Sequence, residues 1–201
     1  AVERLDKYGM VAEMGHKEVG GVKAKLDEFG HEAVVLEQLE IDWKFCNNPL
    51  QTADNELQAR IIVREVFREN GLDVTFNAKP IIGVAGSGEH THFGVMAKLK
   101  SGKLVNLFSP EDMRKEACSS LGIGAIMGLL KHYEAINPFI SSTTDALNRL
   151  KPGFEAPVCI VTSFGTDPSE PNRNRTILCG LIRDIDNPMA TRFELRSPNP
   201  Y

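Results

Sequence analysis

The sequence predicts an α+β fold, because some segments have the periodicity of helices and others have the alternation of strands. Residues 55–70 place apolar side chains along one stripe of a helix, with arginines and glutamates elsewhere. Residues 39–45 and 191–196 alternate apolar and charged side chains, a period of two that is typical of half-buried strands. Residues 119–136 are rich in Gly, Ala, Leu and Ile, which predicts a buried helix. These segments together predict helices packed against a sheet.

The overall composition narrows the class of protein. With 201 residues, 42% apolar and 25% charged, the chain is long enough to form one sizeable domain. A net charge of −4 does not favour nucleic-acid binding, and no apolar run is long enough to span a membrane. The start shows no signal-peptide pattern, and the four cysteines lack Cys-x-x-Cys spacing. We therefore expect free thiols and a cytoplasmic protein.

The first thirty residues leave several alternatives open. Helical periodicity over residues 3–29 is interrupted by Gly20 and Gly21, which fits either two short helices or a helix and a strand. Residues 19–26 also fit a hairpin-like segment, and the sequence does not decide between these alternatives. Residues 15–19 weakly echo residues 30–34, but five residues are too few to define a repeat.

The next segment, residues 31–46, contains two carboxylates of interest, Glu32 and Glu40. Two strands joined by a bend could bring these side chains together. Paired carboxylates suit Mg²⁺ or Mn²⁺, since hard cations prefer oxygen ligands. Taken by itself, the segment would fit the solvated polar face of an edge strand better.

The remaining elements are predicted from turn and cap signals. The helix over 55–70 is expected to be capped by Thr52 or Asp54 and to end at Asn70-Gly71. The sequence further predicts strands over 74–80, 93–99 and 159–163, a hairpin turn at 100–103 and a short helix or loop at 142–150.

Residues 77–92 combine three features of a ligand-binding loop. Lys79-Pro80 stops any helix, because the residue before proline is pushed towards extended angles. The glycines that follow allow a close backbone approach to a ligand. His90 and His92 share a face if the chain is extended, so that one could hold a metal while the other contacts an anion. A plain glycine-rich turn is the alternative.

Six landmarks in order resemble the catalytic domain of glutamine synthetase over about residues 13–200. They are the His-Glu…Glu cluster, Lys-Pro…Gly-Ser-Gly-x-His-x-His, Lys131-His132, Arg-Leu-x-Pro-Gly-Phe-Glu-Ala-Pro-Val, Asn-Arg and Arg-Phe-Glu-Leu-Arg-x-Pro. The resemblance implies a curved antiparallel sheet with ligands on its concave face and helices outside. It also implies ATP-dependent ligation of ammonia to the side chain of glutamate through γ-glutamyl phosphate, assisted by two Mg²⁺ or Mn²⁺ ions.

The resemblance assigns roles to individual residues. Glu32 and Glu40 would ligate the metal on the glutamate side, and His90 and Glu194 the metal that touches the ATP phosphates. The loop residue Glu155 would bind and deprotonate ammonium. The other implied roles are Arg175 (or Arg173) at the transferred phosphate, Arg149, Arg196 and Gly86 at glutamate, His92 and Arg192 at the ATP phosphates, and Phe45 at the adenine.

Some of these residues have structural alternatives. Arg192, Glu194 and Arg196 would by themselves fit a cross-strand salt-bridge ladder, and Phe45 would fit a hydrophobic core. His16, His132 and Trp43 are predicted to be structural.

Two departures from the family pattern bear on function. Ala85 stands where the family usually has asparagine, which removes an amide expected near glutamate. Relatives that ligate glutamate to amines or polyamines, or a non-catalytic structural or regulatory relative, are therefore alternatives. The family's N-terminal β-grasp domain, its Glu-x-Glu strand and its C-terminal remainder are not found in residues 1–201. We expect a piece of the catalytic domain that is inactive by itself, from a parent that forms a ring homo-oligomer.

Overall fold

The computed structural model describes residues 1–26, 28–150 and 178–200. The chain forms two compact units that divide after Ser87, a boundary that the sequence did not indicate. Helices and antiparallel strands are mixed along the chain, so the predicted α+β class is confirmed. Within the described residues, no helix is both long enough and apolar enough to cross a membrane.

The first unit, residues 1–87, is built on a long hairpin. Its elements are α1 (Val2–Lys7), β1 (Ala12–Leu26), β2 (Glu32–Trp43) and α2 (Pro49–Glu69). The two strands pair antiparallel, and Gly30 adopts a φ of 81° in the turn between them. A small core of α1, β1 and α2 residues includes Leu5, Met10, Ile62 and Val63. Of the alternatives for the N-terminal residues, the helix followed by a strand is therefore correct, and residues 19–26 belong to the single strand β1.

Helix α2 begins earlier than the sequence suggested. The side chain of Asn48 accepts hydrogen bonds from the backbone N–H groups of Leu50 and Gln51, and Pro49 occupies the first turn. This cap satisfies N–H groups in the first turn that have no carbonyl partner within the helix. Proline is tolerated in this turn because the N–H that it lacks would have no such partner either. The predicted caps Thr52 and Asp54 thus lie inside the helix. Its end at Asn70-Gly71 is confirmed, with Gly71 at a φ of 74°.

Two strands predicted from the sequence do not occur as predicted. Residues 74–80 form no strand; Val74 and Phe76 instead pack their side chains against the core of the first unit. Residues 93–99 are divided between β3 (Thr91–Phe93) and β4 (Met96–Lys98), which pair with different partners. The predicted strand at 159–163 lies outside the described residues.

The second unit, residues 88–201, contains the other elements. They are β3, β4, β5 (Leu104–Asn106), α3 (Ser120–Lys131), α4 (Tyr133–Ile140), α5 (Thr144–Arg149), β6 (Cys179–Ile182), a short 3₁₀ helix (Pro188–Ala190) and β7 (Arg192–Leu195). Strands β3, β7 and β6 form an antiparallel sheet with β7 in the centre, and β4 pairs with β5 across the predicted turn, where Gly102 has a φ of 86°. The core contains Phe108, Ile126, Leu181 and Phe193.

The predicted helix over residues 119–136 is two helices. α3 ends at Lys131 and α4 begins at Tyr133, with His132 between them. Burial is also less complete than the composition suggested, because only one face of α3 contacts the core: Ile126 is 2% exposed, whereas Leu121 is 63% exposed. The short helix α5 confirms the helical alternative for residues 142–150.

Candidate functional site

The hairpin of the first unit brings together a cluster of three side chains, which we call the hairpin cluster: His16, Glu18 and Glu40. The strand register places His16 opposite Glu40 and Glu18 opposite Gln38. Since side chains two residues apart in a strand share a face, all three members point to the same side of the hairpin. One ligand atom from each member lies within 4.8 Å of the others, which is close enough to hold one metal ion.

Individual contacts in the hairpin cluster are short. His16 Nε2 lies 3.0 Å from a carboxylate oxygen of Glu18 and 3.3 Å from one of Glu40. The other ring nitrogen of His16 is 3.3 Å from a carboxylate oxygen of Asp42. Two carboxylates and one imidazole are a donor set that Mg²⁺ and, more readily, Mn²⁺ accept. The three side chains are half-buried, so an ion there would keep part of its water shell.

The protonation of the hairpin cluster shows repulsion between its acids. Burial, followed by the hydrogen bond and charge of Glu18, raises the pKa of Glu40 to about 7. The hydrogen bond to Glu18 raises the pKa of His16. A proton on Glu40 reduces the repulsion between the neighbouring carboxylates. A divalent cation would do the same with more charge, and the residues therefore fit a metal.

The glycine-rich loop lies beside this face. Gln38 donates from its side-chain amide to the carbonyl oxygen of Gly86 at 2.9 Å and to the hydroxyl of Ser87 at 3.2 Å. The backbone N–H of Ser87 in turn donates to the carbonyl of Ala78 at 2.8 Å. The predicted substrate residue Gly86 is thus held next to the strand that carries Glu40.

The second unit contains a separate cluster around Glu194, which we call the sheet cluster; its other members are His90, His92 and Arg196. β3 pairs with the central strand β7 so that His92 is opposite Glu194. Glu194 accepts from Arg196 at 2.6 Å and lies 3.2 Å from Nδ1 of His90 and 3.9 Å from Nε2 of His92. Its side chain is only 12% exposed.

Burial and charge set the protonation of the sheet cluster. Burial by itself raises the pKa of Glu194, but the hydrogen bond from His90 and the charge of Arg196 outweigh it and lower the pKa to about 2. Burial lowers the pKa of His90 and of His92. The cluster therefore presents an ionised carboxylate and neutral imidazoles near neutral pH, which is the state that binds metals.

Hydrogen bonds assign the ring protons of the two histidines. Nε of Arg192 donates to Nδ1 of His92 at 2.9 Å, so a neutral His92 carries its proton on Nε2. His90 faces the carboxylate of Glu194 through Nδ1, so a neutral His90 that donates there keeps a lone pair on Nε2. For His90 to share an ion with Glu194, its proton would have to move from Nδ1 to Nε2, so that the nitrogen facing the carboxylate supplies the lone pair.

The guanidinium of Arg149 donates hydrogen bonds to backbone carbonyl groups. Its Nη1 donates to the carbonyls of Ser197 and Pro198 at 3.0 and 3.3 Å, and its Nη2 donates to the carbonyl of Arg196 at 2.8 Å. Burial, and then the charge of Arg196, lowers its pKa to about 10. The structure thus shows Arg149 fixing the segment after β7, while contact with glutamate stays a prediction.

One predicted pairing does not fit the structure. Glu32 and Glu40 both belong to β2 and are eight residues apart, a separation of about 26 Å between their backbone positions at the rise of a strand. No bend between two strands brings these two backbone positions together, as the sequence analysis had suggested. Glu18, from the opposite strand, is the glutamate that lies next to Glu40, and His16, which the sequence analysis predicted to be structural, contacts both carboxylates.

The sequence did contain a signal for Glu18. Residues 15–19 and 30–34 echo each other, but only the first has histidine and glutamate two residues apart. In a strand this spacing puts both side chains on one face, whereas adjacent residues, as in the second match, alternate between the two faces. Choosing between the two matches required the register of the hairpin.

Of the remaining predicted site residues, the structure describes one and leaves three outside the described residues. Phe45 is 78% exposed, which excludes a core role and leaves its ring free to stack on a planar group. Glu155, Arg173 and Arg175 lie outside the described residues, and their roles stay predictions.

Comparison with known proteins identifies relatives over the entire chain. Residues 1–201 match the family model "Glutamine synthetase, catalytic domain". The chain is 34% identical to the glutamine synthetase of Methylococcus capsulatus over 201 residues, covering 98% of this chain and 36% of that protein. It is likewise 34% identical to the glutamine synthetase of Pyrococcus abyssi, covering 98% of this chain and 37% of that protein. The chain thus spans about a third of the length of the curated relatives that it matches.

A solved structure has the same fold. The structure described as "Apo GmaS without ligand" superposes with a TM-score of 0.68 at 23% identity, covering 98% of this chain and 38% of that one. At this identity the likeness establishes the fold alone.

Proposed function

This chain belongs to the glutamine synthetase catalytic-domain family, and from that premise we propose that the protein carrying it is an ATP-dependent ligase acting on the side-chain carboxylate of glutamate. The amine would be ammonia, the product glutamine and the intermediate γ-glutamyl phosphate. The observation that carries the proposal is the presence of two acid–histidine clusters in a chain whose family performs metal-assisted ligation.

The hairpin cluster would hold the metal on the glutamate side through Glu18 and Glu40, with His16 beside them. The sheet cluster would hold the metal that meets the ATP phosphates, through Glu194 and His90. Each metal would supply positive charge to the anionic group bound beside it, and at the ATP phosphates this charge favours phosphoryl transfer. The support for this division is the donor chemistry of each cluster and the order of the family landmarks.

The other roles follow from residue chemistry and the resemblance. Planar guanidinium groups bind carboxylate and phosphate in a bidentate manner, which suits Arg149 and Arg196 to glutamate and Arg175 to the transferred phosphate. A carboxylate such as Glu155 attracts ammonium and can take its proton. We also place Gly86 at glutamate, Arg192 and His92 at the ATP phosphates, and Phe45 at the adenine. The resemblance further supports a cytoplasmic ring homo-oligomer.

A γ-glutamyl-amine ligase is the second candidate. Ala85 is 6% exposed beside Gly86 in the glycine-rich loop, where the family usually carries an asparagine amide. A methyl group at this point changes what surrounds the amino-acid substrate, and so favours a test of amines larger than ammonia. The presence of both acid–histidine clusters argues against a non-catalytic relative, since a structural or regulatory protein has no need of metal ligands.

The decisive experiment assays the full natural chain for phosphate release that requires ATP, glutamate, Mg²⁺ and an amine, comparing ammonium, methylamine and putrescine. We expect Glu18→Gln and Glu40→Gln to lower kcat by about a thousandfold or more, since a metal ligand is lost while its shape is kept. Glu37→Gln is the matched control, because Glu37 lies on the same strand but pairs with Lys17 at 2.5 Å. Full activity in the Glu40→Gln variant would overturn the proposal, and the preferred amine separates the two candidates.

A further inference from the structure

Gln38 is a residue of the hairpin to which the resemblance assigns no role. It lies directly opposite Glu18 and two residues before Glu40, on the face that carries the hairpin cluster. Its amide reaches 48 residues along the chain to the carbonyl of Gly86 at 2.9 Å, and also to the hydroxyl of Ser87 at 3.2 Å. One neutral side chain therefore connects the carboxylate-bearing strand with the glycine-rich loop.

These contacts fix the plane of one peptide. The carbonyl of Gly86 and the N–H of Ser87 belong to the same trans peptide and point in opposite directions. Gln38 holds the carbonyl, and the carbonyl of Ala78 holds the N–H at 2.8 Å. In a glycine-rich loop the backbone has many accessible angles, so a peptide restrained at both ends is a strong constraint on the loop.

The chemistry of position 38 suits an amide and not an acid. A glutamate there would add a third carboxylate next to Glu18 and Glu40, and it would present an acceptor to the carbonyl of Gly86. Glutamine has a similar shape, adds no charge and supplies two N–H donors. Because the hydroxyl of Ser87 accepts from Gln38, its own proton can be donated elsewhere.

We propose that Gln38 is a positioning residue that orients the Gly86–Ser87 peptide towards the amino-acid substrate, next to the metal held by Glu18 and Glu40. This inference rests on the proposed function for the identity of the substrate, but the orientation of the peptide does not depend on it. Gln38 acts through the loop backbone and takes no part in the chemical step.

The test measures hydrogen exchange of peptides spanning residues 81–90 in the full natural chain without ligand. We expect Gln38→Leu and Gln38→Glu to accelerate exchange at the Ser87 amide by about tenfold, because both variants remove the donors that hold the peptide. Gln51→Leu is the matched control, since Gln51 is an exposed glutamine on α2 that bonds Asn55 at 2.7 Å. Unchanged exchange in both Gln38 variants would overturn the proposal. If the Leu variant fails to fold, the Glu variant, which keeps the shape of the side chain, decides.

A kinetic readout separates positioning from a structural role. In the same chain, Gln38→Leu is expected to raise KM for glutamate by about tenfold with a smaller effect on kcat, and to leave Mn²⁺ affinity within about twofold. Faster exchange in a protein without ligase activity would uphold the role of Gln38 and reject the proposed function. A Gln38→Leu variant with unchanged KM and unchanged exchange, in a protein with ligase activity, would reject the role of Gln38 and uphold the proposed function.

Discussion

At the scale of single residues, the most informative group is Glu40. Its pKa is raised to about 7 by burial and by the neighbouring Glu18, so near neutral pH the carboxyl is partly protonated when no metal is bound. A cation must displace that proton. We therefore expect Mn²⁺ binding to the hairpin cluster to release protons, and its affinity to rise with pH through the neutral range and level off once Glu40 is ionised.

Calorimetry in buffers of different ionisation enthalpy measures this release. The Glu40→Gln variant should bind more weakly and release fewer protons, whereas Glu37→Gln should behave as the unchanged protein. A binding enthalpy that does not depend on the buffer would show that Glu40 is already ionised in the free protein.

A second prediction concerns Gly88, which lies against the guanidinium of Arg149. A Cβ atom at this position would overlap Nη2 of Arg149 and force the side chain to move. Arg149 would then lose hydrogen bonds to the carbonyls that follow β7. We expect Gly88→Ala to lower the free energy of unfolding by about 1–2 kcal/mol, in line with the loss of buried hydrogen bonds to a charged group.

Denaturant unfolding checks this value, and Gly124→Ala is the control. Gly124 lies in α3 with open space at the Cβ position, so alanine there should be neutral or stabilise the helix by up to about 1 kcal/mol. A Gly88→Ala protein as stable as the parent would show that Arg149 finds equivalent partners after it moves.

At the scale of elements, the sequence predicted what depends on local chemistry. The alternation at residues 39–45 and 191–196 became β2 and β7, and Gly102 marked the β4–β5 turn. Strand register, in contrast, depends on long-range pairing: only the pairing of His16 with Glu40 shows that Glu18, and not Glu32, joins Glu40. The strand predicted at residues 74–80 is wrong for a related reason: Val74 and Phe76 pack on the core, and no strand in the described part of the chain pairs with them.

The helix cap at Asn48 yields a prediction at this scale. Its side-chain oxygen accepts from the N–H groups of Leu50 and Gln51 at 3.1 and 3.4 Å. Replacing it with alanine leaves those groups to solvent, and we expect the free energy of unfolding to fall by about 1 kcal/mol. Asn48→Asp keeps an acceptor and adds a charge favourable to the helix dipole, so it should preserve stability. Equal loss in both variants, measured by denaturant unfolding, would contradict the capping role.

At the scale of the whole molecule, the chain distributes its acid–histidine chemistry over two units. The hairpin cluster belongs entirely to residues 1–87, and the sheet cluster belongs entirely to the part after Ser87. The two clusters differ in protonation when no metal is bound. Glu40, with a pKa of about 7, is partly protonated near neutral pH. Glu194, with a pKa of about 2, is ionised and paired with Arg196. A metal at the sheet cluster must therefore compete with Arg196 and not with a proton.

This difference leads to the last prediction, which concerns stoichiometry. We expect the full natural chain to bind two Mn²⁺ ions, and only the binding to the hairpin cluster to release protons in appreciable number. Glu40→Gln should remove or weaken that event and leave the second, while Glu194→Gln should do the opposite. ATP should strengthen the event that depends on Glu194, because phosphate oxygens add ligands and charge to that metal. A single substitution that abolishes both events would show that the clusters do not bind metal separately, and a proton release that survives Glu40→Gln unchanged would place the titrating group elsewhere.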